Sequence, residues 1–270
     1  MVNRDVINPE ADLPMPVFNH IAVWSLYRWE VRRYLKGWQH SIVGPIGNVL
    51  LYLAIFGLAL GSLRADVAGL PFLNYVAPGL VTMTAMLTAF EMTAWATIDS
   101  KIRGNLAALL STPMRPIELT GTLLAAGMTA GMLTGTLALL ATQIVVPFAP
   151  VTPGLMLLYG MLGTLLAAAC GLLTGFFATK FDQVGSIAGL VVGPLIFLSG
   201  VFFPVSAYSW NFDVVARFSP AFWAIDGVRR GDVGVADGSI LATLSPLVIA
   251  AALAVLICQW VVATGFRVKQ

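Results

Sequence analysis

The run LTGTLLAAGMTAGMLTGTLALLATQIVVPFAPVTPGLMLLYGMLGTLLAAACGLLTGFFAT, from Leu119 to Thr179, contains no charged residue. A bilayer-spanning helix takes about 20 predominantly apolar residues, so a charge-free run of this length belongs in hydrocarbon and is too long for one helix. Pro147, Pro150, Pro153 and Gly154 interrupt it, and proline ends a helix by removing a backbone donor and crowding the preceding turn. The reading is a hairpin of two spans, residues 119–146 and 154–178.

Working outward, four more stretches meet the same test: 42–63, 75–97, 184–203 and 240–266. The composition agrees, with 58% hydrophobic and only 10% charged residues, against about 25% charged in an ordinary soluble domain. A soluble globule is excluded. The expected fold is an all-α integral membrane protein of six transmembrane helices, with residues 1–40 as a cytoplasmic N-terminus and 41–270 as a single transmembrane domain. Six spans put both termini on one side. Eleven Lys and Arg residues then fall on that side and four, Arg64, Arg217, Arg229 and Arg230, on the other. Cytoplasmic segments carry the excess of Lys and Arg, so both termini are expected in the cytoplasm. Residues 1–19 carry Asp5, Glu10, Asp12 and three prolines, a composition unlike a cleaved signal peptide.

Ahead of the first span, Trp24, Tyr27, Val31, Tyr34 and Trp38 recur every three to four residues, with Arg28, Arg32, Arg33 and Lys36 mainly elsewhere around the helix. This is an amphipathic helix suited to the lipid headgroup layer. The second span has the weakest insertion signal, carrying Thr82, Thr84, Thr88, Thr93 and Glu91, so it is expected to face protein or a wet cavity. Glu91, with Thr88 beside it, is the candidate for a substrate path. Gly127, Gly131 and Gly135, and likewise Gly185, Gly189 and Gly193, repeat every four residues and form two close-packing faces. Cys170 and Cys258 lie in apolar runs and read as small buried residues, not as a disulfide or metal pair.

None of the four lysines follows a glycine, so no P-loop is present and ATP hydrolysis is not expected of this chain. His20 and His40 both precede the first span, which leaves no intramembrane Ser–His pair and no ligand cluster for a metal. The small net charge of +2 gives no reason to expect a nucleic-acid partner.

Two segments outside the spans carry the functional reading. The first runs from Asp99 to Pro116. Leu106, Leu109 and Leu110 make the apolar face of a short helix, which Pro113 and Pro116 terminate; such a helix suits a groove on a partner. The second follows the fifth span, with Ser199, Gly200, Phe202, Phe203 and Pro204, then Pro220, Asp226 and Arg229. It is too broken for a span and too apolar for a solvated loop, so short re-entrant helices between the fifth and sixth spans are expected.

Together these segments resemble the permease family of type-2 ABC exporters, which includes transporters for nodulation factors, capsular and O-antigen polysaccharides, teichoic acids and several drugs. The resemblance covers nearly the whole chain. The family's arginine–glycine, leucines, then threonine–proline–basic pattern is similar to Arg103, Gly104, Leu106, Leu109, Leu110, Thr112, Pro113 and Arg115, with Glu118 following. The resemblance implies that this is the coupling helix that contacts the ATPase. Many members carry an acidic residue where this chain has Asn105 and Ala107. It further implies that Ser199 to Pro204, Pro220, Asp226 and Arg229 shape the outer gate, and that the N-terminal helix with Trp24, Tyr27, Arg28, Arg32 and Trp38 is the interface helix. The implied assembly is two permeases and two ATPase subunits in a bacterial inner membrane, with ATP and Mg bound by the partner and no cofactor in this chain. The expected function is ATP-driven export of an amphiphile such as a lipid-linked glycan, polysaccharide or lipo-oligosaccharide. Drug or antibiotic efflux is the alternative cargo. An ion-coupled carrier using Glu91 is the alternative from another class.

Overall fold

The structure is a computed structural model that describes residues 18–60, 66–67, 69–104, 114–147, 149–207 and 212–264. Helix α1 is His20–Lys36, and a π-helical turn, Gln39–Val43, leads into α2, Gly44–Leu60. Then come α3, Phe72–Ile102; α4, Pro116–Thr142; and α5, Pro153–Phe177. Helix α6, Phe181–Ile187, continues through a π-helical turn, Ala188–Val192, into α7, Gly193–Phe197. The short helices α8, Phe212–Phe218, and α9, Pro220–Val233, precede α10, Ile240–Thr264.

Among the described residues, five helical stretches are long and apolar enough to cross a membrane: Gln39–Leu58, α3, α4, α5 and α10. The expected fifth span differs. Its helical run is Phe181–Phe197, 17 residues or about 25 Å at 1.5 Å per residue, and the chain turns at Gly200 with φ +84°. Residues Ser199 to Phe202 are buried beyond the helix end, so the sequence boundary at 203 merged a helix with the packed turn that follows it. The second span also differs, since α3 runs on through Asp99 and Lys101 to Ile102. Those charges remain in the helix because each has a partner. Arg103 Nε donates to Asp99 Oδ1 at 2.7 Å, and Lys101 Nζ donates to the carbonyls of Phe176 and Ala178, at 2.8 and 2.9 Å, at the end of α5.

Helix α3 lies at the centre, packed mainly on α5 and α4 and also on α9. Two-thirds of its apolar stretch is buried within the protein, against less than a quarter for α2 and α10. Its polar residues therefore meet protein. Thr82, Thr97 and Ser100 return their hydroxyl protons to carbonyls one turn back, and Thr93 also reaches the carbonyl of Ala168 on α5 at 2.8 Å. In lipid, helices associate by close backbone approach, which small residues permit. At Gly131 an added Cβ would fall 2.5 Å from the carbonyl oxygen of Ala85, and at Gly135 it would fall 2.8 Å from the Ala85 Cβ. The face with Gly185, Gly189 and Gly193 behaves otherwise, since a Cβ at Gly189 would meet nothing within 4 Å. Of the cysteines, Cys258 is buried, but Cys170 is exposed on α5, because its position in an apolar run reflects the surrounding lipid and not the core.

Candidate functional site

At one end of the bundle, α1 spans both ends of the segment that joins α3 to α4. Asn19 caps α1, accepting from Ala22 N at 3.1 Å, as short polar side chains do at helix starts. The backbone N–H of Asn19 in turn donates to Glu118 Oε1 at 2.9 Å, while Glu118 Oε2 accepts from Arg115 N at 2.8 Å. One carboxylate in the first turn of α4 thus holds the start of α1 and the exit of the joining segment. At the entry of that segment, Asp99 pairs with Arg103 and lies 3.7 Å from Arg33 of α1. Gly104 then ends α3 in the left-handed region, with φ +74°, a conformation glycine adopts without strain. Leu106, Leu109, Leu110, Thr112 and Pro113, expected to form the partner-binding helix, lie outside the described residues.

Helix α1 is held against α4 by hydroxyls as well as by apolar contact. Tyr27 Oη pairs with Thr129 Oγ1 at 2.8 Å, and Tyr34 Oη donates to the Ser41 carbonyl at 2.8 Å and meets Thr134 Oγ1. The aromatic stripe seen in the sequence therefore divides. Tyr27, Val31 and Tyr34 pack on the bundle, whereas Trp24 and Trp38 are more than half exposed and Arg28 and Arg32 point outward. The sequence reading missed Glu30. It is 1% exposed, and its Oε2 lies 2.6 Å from Arg33 Nη2. That pair lacks hydrogen-bond alignment, so it acts as charge against charge. Burial pushes the Glu30 carboxyl up to about 7, with Arg33 opposing and Asp99 adding to the rise. The i, i+3 spacing of Glu30 and Arg33 was the signal available in the sequence.

Between α1, the following π-helical turn, α3 and α6 lies a cavity of about 510 Å³. Thr88, Glu91, Trp95 and Asp99 line it from one stripe of α3, with Arg33 and Tyr34 across from them and Phe181 at the side. Helical spacing places those four α3 residues on one face. The candidate path residues Glu91 and Thr88 are thus brought together on a cavity wall.

At the opposite end of α3, the expected gate residues form a bonded unit. Arg229 of α9 is 1% exposed. Its Nε donates to the Tyr75 carbonyl at 3.1 Å and its Nη2 to those of Gly200 and Val201 at 2.6 and 3.3 Å. Asp226 accepts from Asp237 N at 2.6 Å and Gly238 N at 3.2 Å. Ser199 Oγ donates to Ser219 Oγ, beside Pro220, at 2.7 Å. Phe202 packs on Phe197 and on Phe56 of α2, and Phe203 on Phe72 of α3. Pro204 leads from this turn into the next, where Val205 N donates to Asp237 Oδ2 at 3.0 Å. Two of the four basic residues assigned to the outer side, Arg229 and Arg230, are therefore bound to backbone carbonyls, the latter to that of Gly238.

The sequence matches the ABC-2 type transporter family over residues 21–232. It is 27% identical over 245 residues to the inner membrane transport permease YadH of Escherichia coli K12, covering 91% of this chain and 96% of that protein. It is 30% identical over 227 residues to nodulation protein J of Rhizobium leguminosarum bv. trifolii, covering 80% and 82%. With nodulation protein J of Rhizobium meliloti the figures are 28% over 228 residues, 81% and 83%. A family match across most of the chain, over the same residues that build the α1 brace, the cavity and the Arg229 unit, places this protein: it belongs to the ABC-2 type transporter family.

Proposed function

We propose that this chain is the permease half of an ATP-driven exporter that moves an amphiphilic molecule out of the cytoplasm or inner leaflet. The observation that carries the reading is the double tie of α1, through Asp99 and Glu118, to both ends of the 104–115 segment. A segment held at entry and exit by one strut passes a push from outside to the helices on either side of it. Family members work with ATPase subunits, and a docked ATPase would supply that push. Two ATPase subunits, which bind ATP and Mg, and a second copy of this permease complete the assembly. The open glycine face at Gly189 and the exposed Leu190, Val191 and Leu198 suit contact with the second copy.

In this reading α6 and α7 form the fifth, short span of six, α8 and α9 re-enter the membrane at its outer side, and both termini face the cytoplasm of a bacterial inner membrane. Arg229 and its partners then set the outer gate, and α1 lies at the inner surface with Trp24 and Trp38 in the headgroup layer. Glu91 and Thr88 face the substrate path. The cargo is a lipid-linked glycan, polysaccharide or lipo-oligosaccharide, with drug efflux as the alternative. An ion-driven carrier would need Glu91 in every cycle and no ATPase, and family membership favours the ATP-driven reading.

The test is co-purification of the full chain with a nucleotide-binding subunit, comparing wild type with a variant carrying Leu106→Glu and Leu109→Glu. Loss of association with an unchanged melting profile is expected. Undiminished association in the variant would overturn the coupling assignment.

A further inference from the structure

The charges around the α1 cavity are unevenly satisfied. Arg33 lies 2.6 Å from Glu30 and 3.7 Å from Asp99, and its guanidinium stands 5.0 Å from the centre of the Trp29 ring. Arg103 is paired with the same Asp99 at 2.7 Å. Each of these cations already has a carboxylate. Glu91 does not: half-buried in the cavity wall, it makes no hydrogen bond or ion pair with the described residues. Beside it are rings. Trp95 lies one turn further along α3, stacked on Phe181 with centroids 5.7 Å apart, and Tyr34 faces it from α1.

From this arrangement we infer that the cavity binds the positively charged group of an ammonium-bearing amphiphile, with Glu91 as its counter-ion and Trp95, Phe181 and Tyr34 as aromatic walls. A carboxylate held away from bulk water is costly unless it is paired, and a bound cation relieves that cost. Ring faces carry negative charge density and favour the same sign of ligand. An anionic head would have to displace Asp99 from Arg33 and Arg103 while standing close to Glu91. Arg33 and Tyr34 of α1 line the cavity, and the same helix carries the exposed Trp24, a ring suited to the headgroup layer where the apolar tail of such a ligand would meet lipid. This assignment rests on the exporter reading for its role in transport, but the binding chemistry stands apart from it. The ammonium group has two sources, an amino sugar on a glycolipid or a drug-like quaternary amine.

The experiment is native mass spectrometry of the full chain in an uncharged, sugar-free detergent. It is titrated with dodecyltrimethylammonium, dodecyl glucosaminide, dodecyl glucoside and dodecyl phosphate. The wild type is expected to bind the two cations more tightly than the neutral and anionic amphiphiles. Binding by dodecyltrimethylammonium alone identifies a drug-like cation, and binding by the glucosaminide alone an amino sugar. Glu91→Gln is expected to weaken cation binding about tenfold without changing glucoside binding, and Glu91→Asp to retain most of it. Equal binding of all four amphiphiles by the wild type overturns the inference, a comparison that needs no variant to fold. So does Glu91→Gln binding the cations as wild type does, or losing glucoside to the same extent. Failure here leaves the ATPase co-purification result intact, whereas failure of that association removes export without touching this site.

Discussion

The guanidinium of Arg229 stands 3.9 Å from the centre of the Tyr75 ring while its Nε bonds the carbonyl of the same residue. One side chain thus joins α9, the start of α3 and the Gly200 turn. Lysine has the charge but not the planar fork, and cannot reach three carbonyls while stacking on a ring. Arg229→Lys is expected to destabilise the protein by about 2 kcal/mol, the scale of a lost charge-assisted hydrogen bond in a buried site. Differential scanning fluorimetry in detergent would measure it; an unshifted transition would show that the clamp is dispensable.

The two glycine faces should respond in opposite ways. Gly131→Ala places a methyl group 2.5 Å from a backbone oxygen of α3, where nothing yields cheaply, and should cost about 1–3 kcal/mol by overpacking. Gly189→Ala has open space within the protomer and should leave monomer melting unchanged. Equal destabilisation by both would refute the assignment of the first face to intramolecular packing.

Glu30 makes the docking of α1 sensitive to pH. Its folded value of about 7 lies above its ordinary 4.5, so the folded state binds this proton more tightly than the unfolded state does. The resulting contribution to stability is complete below pH 4.5 and is lost as pH rises through 7. Wild type should therefore melt at a lower temperature at pH 8 than at pH 6, and Glu30→Gln should flatten the difference. An identical pH slope in the variant would assign the effect to another group.

Glu118 holds two backbone amides from distant parts of the chain. Glu118→Ala should speed hydrogen exchange at the amides of Asn19 and Arg115, leaving the centre of α4 protected. Glu118→Gln, which keeps one acceptor oxygen, should protect only one of them fully. Exchange that rises evenly along α4 would point to general loosening of the helix instead.

Hydropathy and breakers were enough to identify the membrane class, the hairpin at Pro147 to Gly154 and the Gly131 packing face, because insertion free energy adds up locally along the chain. Arg103 and Gly104 stood out in the sequence only as part of a family pattern; that Gly104 takes the left-handed conformation just past the end of α3 is seen in the structure. The long-range partners of charged side chains were not legible. Glu118 meets Asn19 across 99 positions, and Arg229 meets Tyr75 across 154. Such meetings depend on the rotation and register at which helices pack, which no local sum encodes. For the same reason Gly127–Gly135 and Gly185–Gly193 are equivalent patterns in sequence, while only the tertiary structure turns one toward α3 and the other outward. Sequence alone determined that this chain lives in a membrane and roughly where its long helices lie; which carboxylates brace α1, and which one stands in a cavity with no partner among the described residues, was decided by packing.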